Sequence, residues 1–255
     1  MPTPKHTPVG YGRGEIETKT LRMMTLGSTS REEVLLKLGE PDAAWKDEQY
    51  FLYRWFTVRG YAATKGAAGE IGGEGHNLIV EFDHDGLVKD YGDIRQWAVR
   101  LYHRAVLKPL DSSPIDIPIK HWHEGFTNPY ADALLTLGKG SVEFTEATNA
   151  SHNFRISPEK LIQLTLFSQK NDPTWVAGEL ACTIHFSTPP LGSYPPYMAP
   201  GRYLTPAQRE KAQKIRLKVG ILSLPTLIEY LRQTAPNLVI KTAAPTWYQD
   251  DFGVF

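Results

Sequence analysis

A short segment with two histidines and a glutamate comes nearest to a metal site in this sequence. It reads His121-Trp122-His123-Glu124. On a β-strand His121 and His123 share a face, and two imidazoles with a carboxylate can bind zinc. A third ligand would have to come from a distant part of the chain, such as His103. Because the local pattern contains no such partner, we predict a polar contact here, with no metal site and no cofactor.

The single cysteine, Cys182, precedes His185 by three residues in a predicted strand. Side chains three residues apart in a strand point to opposite faces, so this spacing disfavours a Cys–His nucleophile pair. We therefore interpret Cys182 as a small buried hydrophobic residue. One cysteine allows no intramolecular disulfide, which fits a cytosolic protein and also many periplasmic ones.

Two further patterns are typical of loops and turns. The glycine-rich residues 69–75 precede a predicted strand and lack the Lys-Ser/Thr ending of a phosphate loop. The spacing of Asp83, Asp85, Asp90 and Asp93 lacks the terminal glutamate of a calcium-binding EF-hand loop, and turn chemistry explains the first two. With no catalytic set in the sequence, we predict that the protein is not an enzyme.

Aromatic and basic side chains form the surfaces that we predict for interactions. The predicted interaction residues are Tyr50, Tyr53, Trp55, Tyr194, Tyr197, Tyr203, Lys214, Arg216 and Lys218. Tyrosines interleaved with prolines in 187–206 would supply rigid contact area at low entropic cost. The three basic residues alternate along one strand, where they could meet an anionic lipid headgroup or form the solvated face of an antiparallel sheet.

The overall composition excludes some classes of protein. The chain has 255 residues, of which 41% are hydrophobic and 22% charged, as in an ordinary globular protein with one large domain or two small ones. Lysine plus arginine (28) equals aspartate plus glutamate (28), so nucleic-acid binding through a basic surface is disfavoured. No apolar run approaches the roughly 18 residues that span a bilayer, so we predict no membrane-spanning segment.

The helix predicted most firmly lies in LGSTSREEVLLKLGEPD, residues 26–42. Ser30 and Glu33 have the spacing of a capping box, in which each side chain binds a free backbone N–H of the first turn. Gly39 stands where a left-handed C-terminal residue is needed, and Pro41 prevents the helix from continuing.

The remaining elements predict an α+β fold. A helical stretch at 15–25 precedes the helix above, and an aromatic strand at 49–58 and a hairpin turning at 83–86 follow it. We expect a helix–helix–three-stranded antiparallel sheet, and then an antiparallel β domain closed by a C-terminal helix that begins after Ser223.

The predicted organisation of the chain follows from these elements. It comprises a flexible lead-in at 1–14, a first domain at 15–97, a proline-containing connecting segment at 98–130 and a β domain at 131–255 with a Pro-rich insertion at 187–206.

The first domain resembles the SmpA/OmlA (BamE-like) family of small bacterial outer-membrane lipoproteins. The likeness is carried by residues 27–34, Leu38-Gly39-Glu40-Pro41, the aromatic strand 50–55 and the hairpin 78–86, in that order. It covers about 80 residues, and the family's lipobox cysteine is absent. The second domain resembles pleckstrin-homology-like or GRAM-like domains in element order alone.

This resemblance implies a non-enzymatic role in protein–protein contacts or assembly in the bacterial cell envelope, with other envelope proteins as partners. The alternative is a lipid- or small-ligand-binding module that uses the C-terminal domain. The expected location is the periplasm or the outer membrane if a signal peptide has been removed, and otherwise the cytoplasm.

Overall fold

The computed structural model describes residues 16–62, 70–105, 113–122, 130–148, 150–167, 178–188, 191–192 and 213–243. The chain divides into two compact units. Unit 1 comprises residues 1–97 and 169–177, and unit 2 comprises residues 98–168 and 178–255.

The described residues of unit 1 form two short helices and a four-stranded antiparallel sheet in the order β1-β2-β3-β4. Its elements are α1 Thr18–Leu21, α2 Arg31–Leu38, β1 Ala43–Trp45, β2 Tyr50–Ala62, β3 Glu70–Phe82 and β4 Val88–Asp93. The turn between β3 and β4 is held by Asp83, whose Oδ1 accepts hydrogen bonds from the backbone N–H groups of Asp85 and Leu87. This is the predicted aspartate turn chemistry.

The capping box predicted for α2 is present. The backbone N–H of Ser30 donates to Glu33 Oε2 at 2.9 Å, and the backbone N–H of Glu33 donates to Ser30 Oγ at 3.3 Å. Gly39 ends the helix at φ +74°, a conformation that glycine adopts without a Cβ clash. Val34 is fully buried and joins α2 to the core of unit 1.

The core of unit 1 lies between the helices and one face of the sheet. Its buried members are Met24, Val34, Phe51, Tyr53, Trp55, Leu78, Val80, Phe82 and Val88. The residues that alternate with them in β2 and β3 are buried too, including Tyr50, Leu52 and Ile79. A sheet with both faces buried explains why these strands read as almost continuous apolar runs.

The described residues of unit 2 form a nine-stranded sheet and two helices longer than a single turn. Its elements are α3 Ile94–Arg104, of which the first four residues belong to unit 1, β5 Ile115–Trp122, β6 Tyr130–Gly138, β7 Ser141–Glu146, β8 Phe154–Ile156, β9 Leu161–Phe167, β10 Glu179–Phe186, β11 Leu191–Gly192, β12 Lys214–Gly220, α4 Leu224–Thr234 and β13 Val239–Ala243. The strand order is β11-β8-β7-β6-β5-β12-β10-β9-β13. All neighbours are antiparallel except β13, which is parallel to β9.

The α+β prediction is wrong, because the described chain is mostly β. The expected helix–helix–three-stranded arrangement is not seen in unit 1. The helical stretch predicted at 15–25 forms only the four residues of α1, and β1 adds a fourth strand to the sheet. In unit 2 the expected closing helix α4 is followed by β13, which pairs with β9, so the pleckstrin-homology-like element order is also wrong.

β5 and its Pro118 lie in the segment that was predicted to connect the two domains. Proline cannot donate a ladder hydrogen bond and is therefore typical of edge strands. β5 instead lies between β6 and β12. The pairing with β12 covers Ile119 to His121 and stops before Pro118, so this proline has a partner strand on one side only.

Candidate metal centre

Two histidines and a glutamate converge inside unit 2. His121 lies near the end of β5, Glu146 is the last residue of β7, and His152 ends a short 3₁₀ turn, Ala150–His152, that precedes β8. Their ligand atoms, the histidine ring nitrogens and a carboxylate oxygen, all lie within 4.8 Å of one another.

The strand register explains how His121 and Glu146 meet although β6 runs between them. Ala133 of β6 pairs with Ile119 on one side and with Glu146 on the other, and Ala131 pairs with His121. Directly paired residues share a face of the sheet, so all of these side chains point the same way. The two alanines leave space above β6, which the imidazole and the carboxylate fill from either side.

The carboxylate oxygen Glu146 Oε2 is the centre of the cluster. His121 Nδ1 lies 2.8 Å from it and His152 Nδ1 lies 3.2 Å from it. The two imidazole rings are 5.3 Å apart between centroids and nearly perpendicular, at 88°. Both histidines therefore direct the same ring nitrogen at one oxygen atom.

All three side chains are buried. The exposed fractions are 1% for His121, 2% for Glu146 and 5% for His152. Phe144 packs edge-on against His121 with ring centroids 5.0 Å apart, and Phe154 stacks on Phe144 at 5.1 Å. An aromatic wall of this kind lowers the local dielectric and strengthens every electrostatic interaction of the carboxylate.

A second layer of hydrogen bonds orients Glu146. Thr148 Oγ1 donates to Glu146 Oε1 at 3.0 Å, and the backbone N–H of Glu146 donates to Asn153 Oδ1 at 2.7 Å. The carboxylate therefore has one oxygen tied to a hydroxyl and the other directed at the two imidazoles. Orienting contacts of this type accompany ligands in metal sites.

Two chemical states fit this geometry. Without a metal, each imidazole in its Nδ1–H form donates to the carboxylate oxygen. With a metal, both imidazoles would carry their proton on Nε2, so that the two Nδ1 atoms and Oε2 could serve as ligands, and adjacent ligand atoms around zinc would stand about 3.0 to 3.4 Å apart. The separation of 3.2 Å between His152 Nδ1 and Glu146 Oε2 already lies in this range, and the separation of 2.8 Å between His121 Nδ1 and Glu146 Oε2 would have to lengthen by about 0.2 to 0.6 Å.

The sequence identified one ligand of this cluster and missed two. His121 was a candidate, but the partner suggested for it, His103, lies exposed on α3, and His123 lies outside the described residues. Glu146 and His152 were not considered as ligands, and no local motif links either of them to His121. The pairing of β6 with β5 and β7 brings the three together, and that register is not visible in the sequence.

The predicted interaction residues are spread over both units. Tyr50, Tyr53 and Trp55 are buried in unit 1. Tyr194, Tyr197 and Tyr203 lie outside the described residues.

Of the predicted basic row, Lys214 and Arg216 are half-buried. Lys218 is only 3% exposed, and its Nζ lies 3.9 Å from the ring centroid of Tyr130. A lipid-binding role for these residues stays a prediction.

Cys182 lies in β10 and is fully buried, as predicted. Burial disfavours the thiolate and raises the pKa of this thiol to about 12. A group that stays protonated at neutral pH is a poor nucleophile and a poor metal ligand.

A second group of possible ligands, Asp83, His84 and Asp85, lies in the turn between β3 and β4. His84 and Asp85 are exposed, and Asp83 already accepts the two backbone hydrogen bonds that form the turn. Turn chemistry accounts for this group.

Comparison with known proteins gives this chain no family. No protein-family model matches the sequence, and no curated protein matches it at a significant level. Among the described residues, no helix is both long enough and apolar enough to cross a membrane. The resemblance of the first domain, residues 15–97, to the SmpA/OmlA family, and the envelope role it implies, stay predictions.

Proposed function

We propose that this chain is a metal-binding protein whose unit 2 holds one divalent transition-metal ion through His121, Glu146 and His152. The observation that carries the proposal is the convergence of two imidazole nitrogens on one buried carboxylate oxygen, at 2.8 and 3.2 Å. Buried carboxylates are paired with cations or bind metals, because an isolated charge in the interior is very costly.

The ligand types favour zinc or a neighbouring first-row metal. Imidazole suits zinc, iron, copper and nickel, whereas calcium and magnesium require shells made mainly of oxygen ligands. The thiol-selective metals have no ligand here, because the single cysteine, Cys182, is not part of the cluster. We therefore expect Zn²⁺, with Co²⁺ as a spectroscopic substitute.

The proposal concerns binding and assigns no reaction. Three protein ligands leave a coordination position free, which is the arrangement of many catalytic zinc sites. However, the three ligands are exposed by 5% or less, so a substrate has no direct route to the ion in this conformation.

Titration of protein without an affinity tag tests the proposal. After treatment with a chelator, the protein is titrated with Zn²⁺ in a calorimeter. We expect one ion per chain and at least a 10-fold weaker affinity in the variants Glu146→Gln and His152→Asn.

The matched control is Glu143→Gln. Glu143 lies in the same strand as Glu146, but its side chain is 41% exposed and pairs with Arg155. Circular dichroism shows whether each variant is folded. An absence of Zn²⁺ binding in the folded wild type, or an equal loss of affinity in Glu143→Gln, contradicts the proposal.

A further inference from the structure

The three ligands differ in how firmly the fold holds them. His121 and Glu146 belong to β5 and β7, which are interior strands with a hydrogen-bonded neighbour on each side. His152 instead ends the 3₁₀ turn before β8. We call residues 150–153 the His152 turn.

The His152 turn buries one of the three side chains whose exposure is described. Of these three side chains, Ala150 is exposed, Asn153 is half-buried and His152 is buried. Two of its attachments lead to Glu146: His152 Nδ1 at 3.2 Å from Oε2, and Asn153 Oδ1, which accepts from the Glu146 backbone N–H at 2.7 Å. Segments with little buried apolar surface open at low free-energy cost.

Burial means that an ion cannot reach Glu146 while the turn is closed. His121 cannot move away without breaking its pairing with Ala131 and Leu217. Glu146 cannot do so without breaking its pairing with Ala133, whereas His152 can leave with its turn. The turn is therefore the part of the site that must open for an ion to enter or to depart.

We propose that the His152 turn is a metal-controlled latch, which opens to admit the ion and is locked by His152 once the ion is bound. This inference rests on the proposed metal binding. It adds that binding of the ion makes one turn at the surface more ordered. An ion held by all three ligands joins the turn to two interior strands, so opening must first release His152 from the metal.

The size of the effect follows from linkage. If the open turn holds the ion at least 10 times more weakly, as expected for His152→Asn, a free metal concentration of 100 times Kd lowers the open population by at least about 9-fold. Amide hydrogen exchange of the turn should then slow by a similar factor, because exchange requires opening. Amides in the interior strands β5 and β7 should change much less, since they open through larger unfolding events.

Hydrogen exchange measured by mass spectrometry, with and without Zn²⁺, tests the latch on the full chain. We expect exchange in residues 150–153 to slow by at least about 9-fold at 100 times Kd in the wild type and in the control Glu143→Gln. In His152→Asn we expect residual Zn²⁺ binding through His121 and Glu146 with no slowing in the turn. Thr148→Val removes the hydroxyl that orients Glu146 but keeps His152. At a free Zn²⁺ concentration of 100 times the Kd of this variant, exchange in the turn should still be slowed.

The outcomes separate the latch from the underlying proposal. One Zn²⁺ bound per chain in calorimetry with unchanged exchange in residues 150–153 overturns the latch and leaves metal binding intact. Equal slowing throughout unit 2 also overturns it, because the ion would then stabilise the unit as a whole. No calorimetric binding in the folded wild type overturns both.

Discussion

His121 Nδ1 lies 2.8 Å from Glu146 Oε2, although the two residues belong to strands that are separated by a third. Backbones two strands apart are about 9.6 Å from each other, so both side chains must extend over the middle strand to meet. They can do so because β6 presents alanine at both paired positions, Ala131 and Ala133. The site thus depends on two small residues that are not themselves ligands.

Ala133→Val should weaken metal binding without removing a ligand. Two added methyl groups would occupy the space between Ile119 and Glu146, the partners of Ala133 on the neighbouring strands. Substitutions around the ligands of a metal site typically cost about 10- to 100-fold in affinity. We expect a loss in this range for Zn²⁺ in calorimetry.

Thr136→Val is the matched control for this change. Thr136 lies in the same strand on the opposite face, where its hydroxyl donates to Asp116 at 2.6 Å. Valine there should leave the Zn²⁺ affinity unchanged. A folded Ala133→Val protein with the wild-type affinity for Zn²⁺ would show that the small side chains of β6 are not needed for His121 and Glu146 to come together.

Cys182 should resist alkylation in the folded protein. Its pKa is raised by burial from the ordinary value of 9.0 to about 12, so at pH 8 the thiolate is scarce as well as enclosed. Iodoacetamide should modify Cys182 only after unfolding in urea, and mass spectrometry assigns the adduct without ambiguity because the chain has one cysteine.

The same pKa predicts how stability depends on pH. The neutral thiol favours the folded state, and this contribution is complete below pH 9. Between about pH 9 and 12 the unfolded chain releases the proton first, so the free energy of unfolding should fall as pH rises. Cys182→Ala should reduce this dependence without abolishing it, because burial also raises the pKa of Tyr102 and of Tyr230. Rapid alkylation of the folded wild type at pH 8 would contradict the buried position.

Ser30→Ala should loosen the start of α2. The substitution removes the hydroxyl that accepts from the Glu33 backbone N–H at 3.3 Å. Loss of such a cap costs about 1 kcal/mol, which corresponds to roughly 5-fold faster amide exchange in α2 if its amides exchange by local opening.

Ser28→Ala provides the comparison, because Ser28 is exposed and lies two residues before the cap. Exchange in α2 should be unchanged in this variant. Equal effects of the two substitutions would mean that the capping box does not stabilise the helix.

Local structure was predictable from the sequence where neighbouring residues determine it. The caps of α2 and the turn at Asp83 were correct, since each depends on residues within five positions of one another. The helix predicted to begin after Ser223 is present as α4 and buries Leu224, Leu227 and Leu231, although Ser223 makes no side-chain cap.

The features that failed depend on contacts between distant segments. The alternating pattern of β12 placed Lys218 on a solvated face, but Tyr130 from β6 covers it. The metal ligands His121 and Glu146 are 25 residues apart and are joined only through β6. Composition and periodicity describe one strand at a time, so they did not reveal a site assembled from three.

X-ray absorption at the zinc edge on protein loaded with one equivalent of Zn²⁺ tests the central claim most directly. The account predicts a first shell of nitrogen and oxygen at about 2.0 to 2.1 Å with outer scattering from two imidazole rings. His152→Asn should remove the contribution of one ring, and Glu143→Gln should change nothing. A spectrum without imidazole scattering, or one that His152→Asn leaves unaltered, would contradict the assignment of His121, Glu146 and His152 as the metal site.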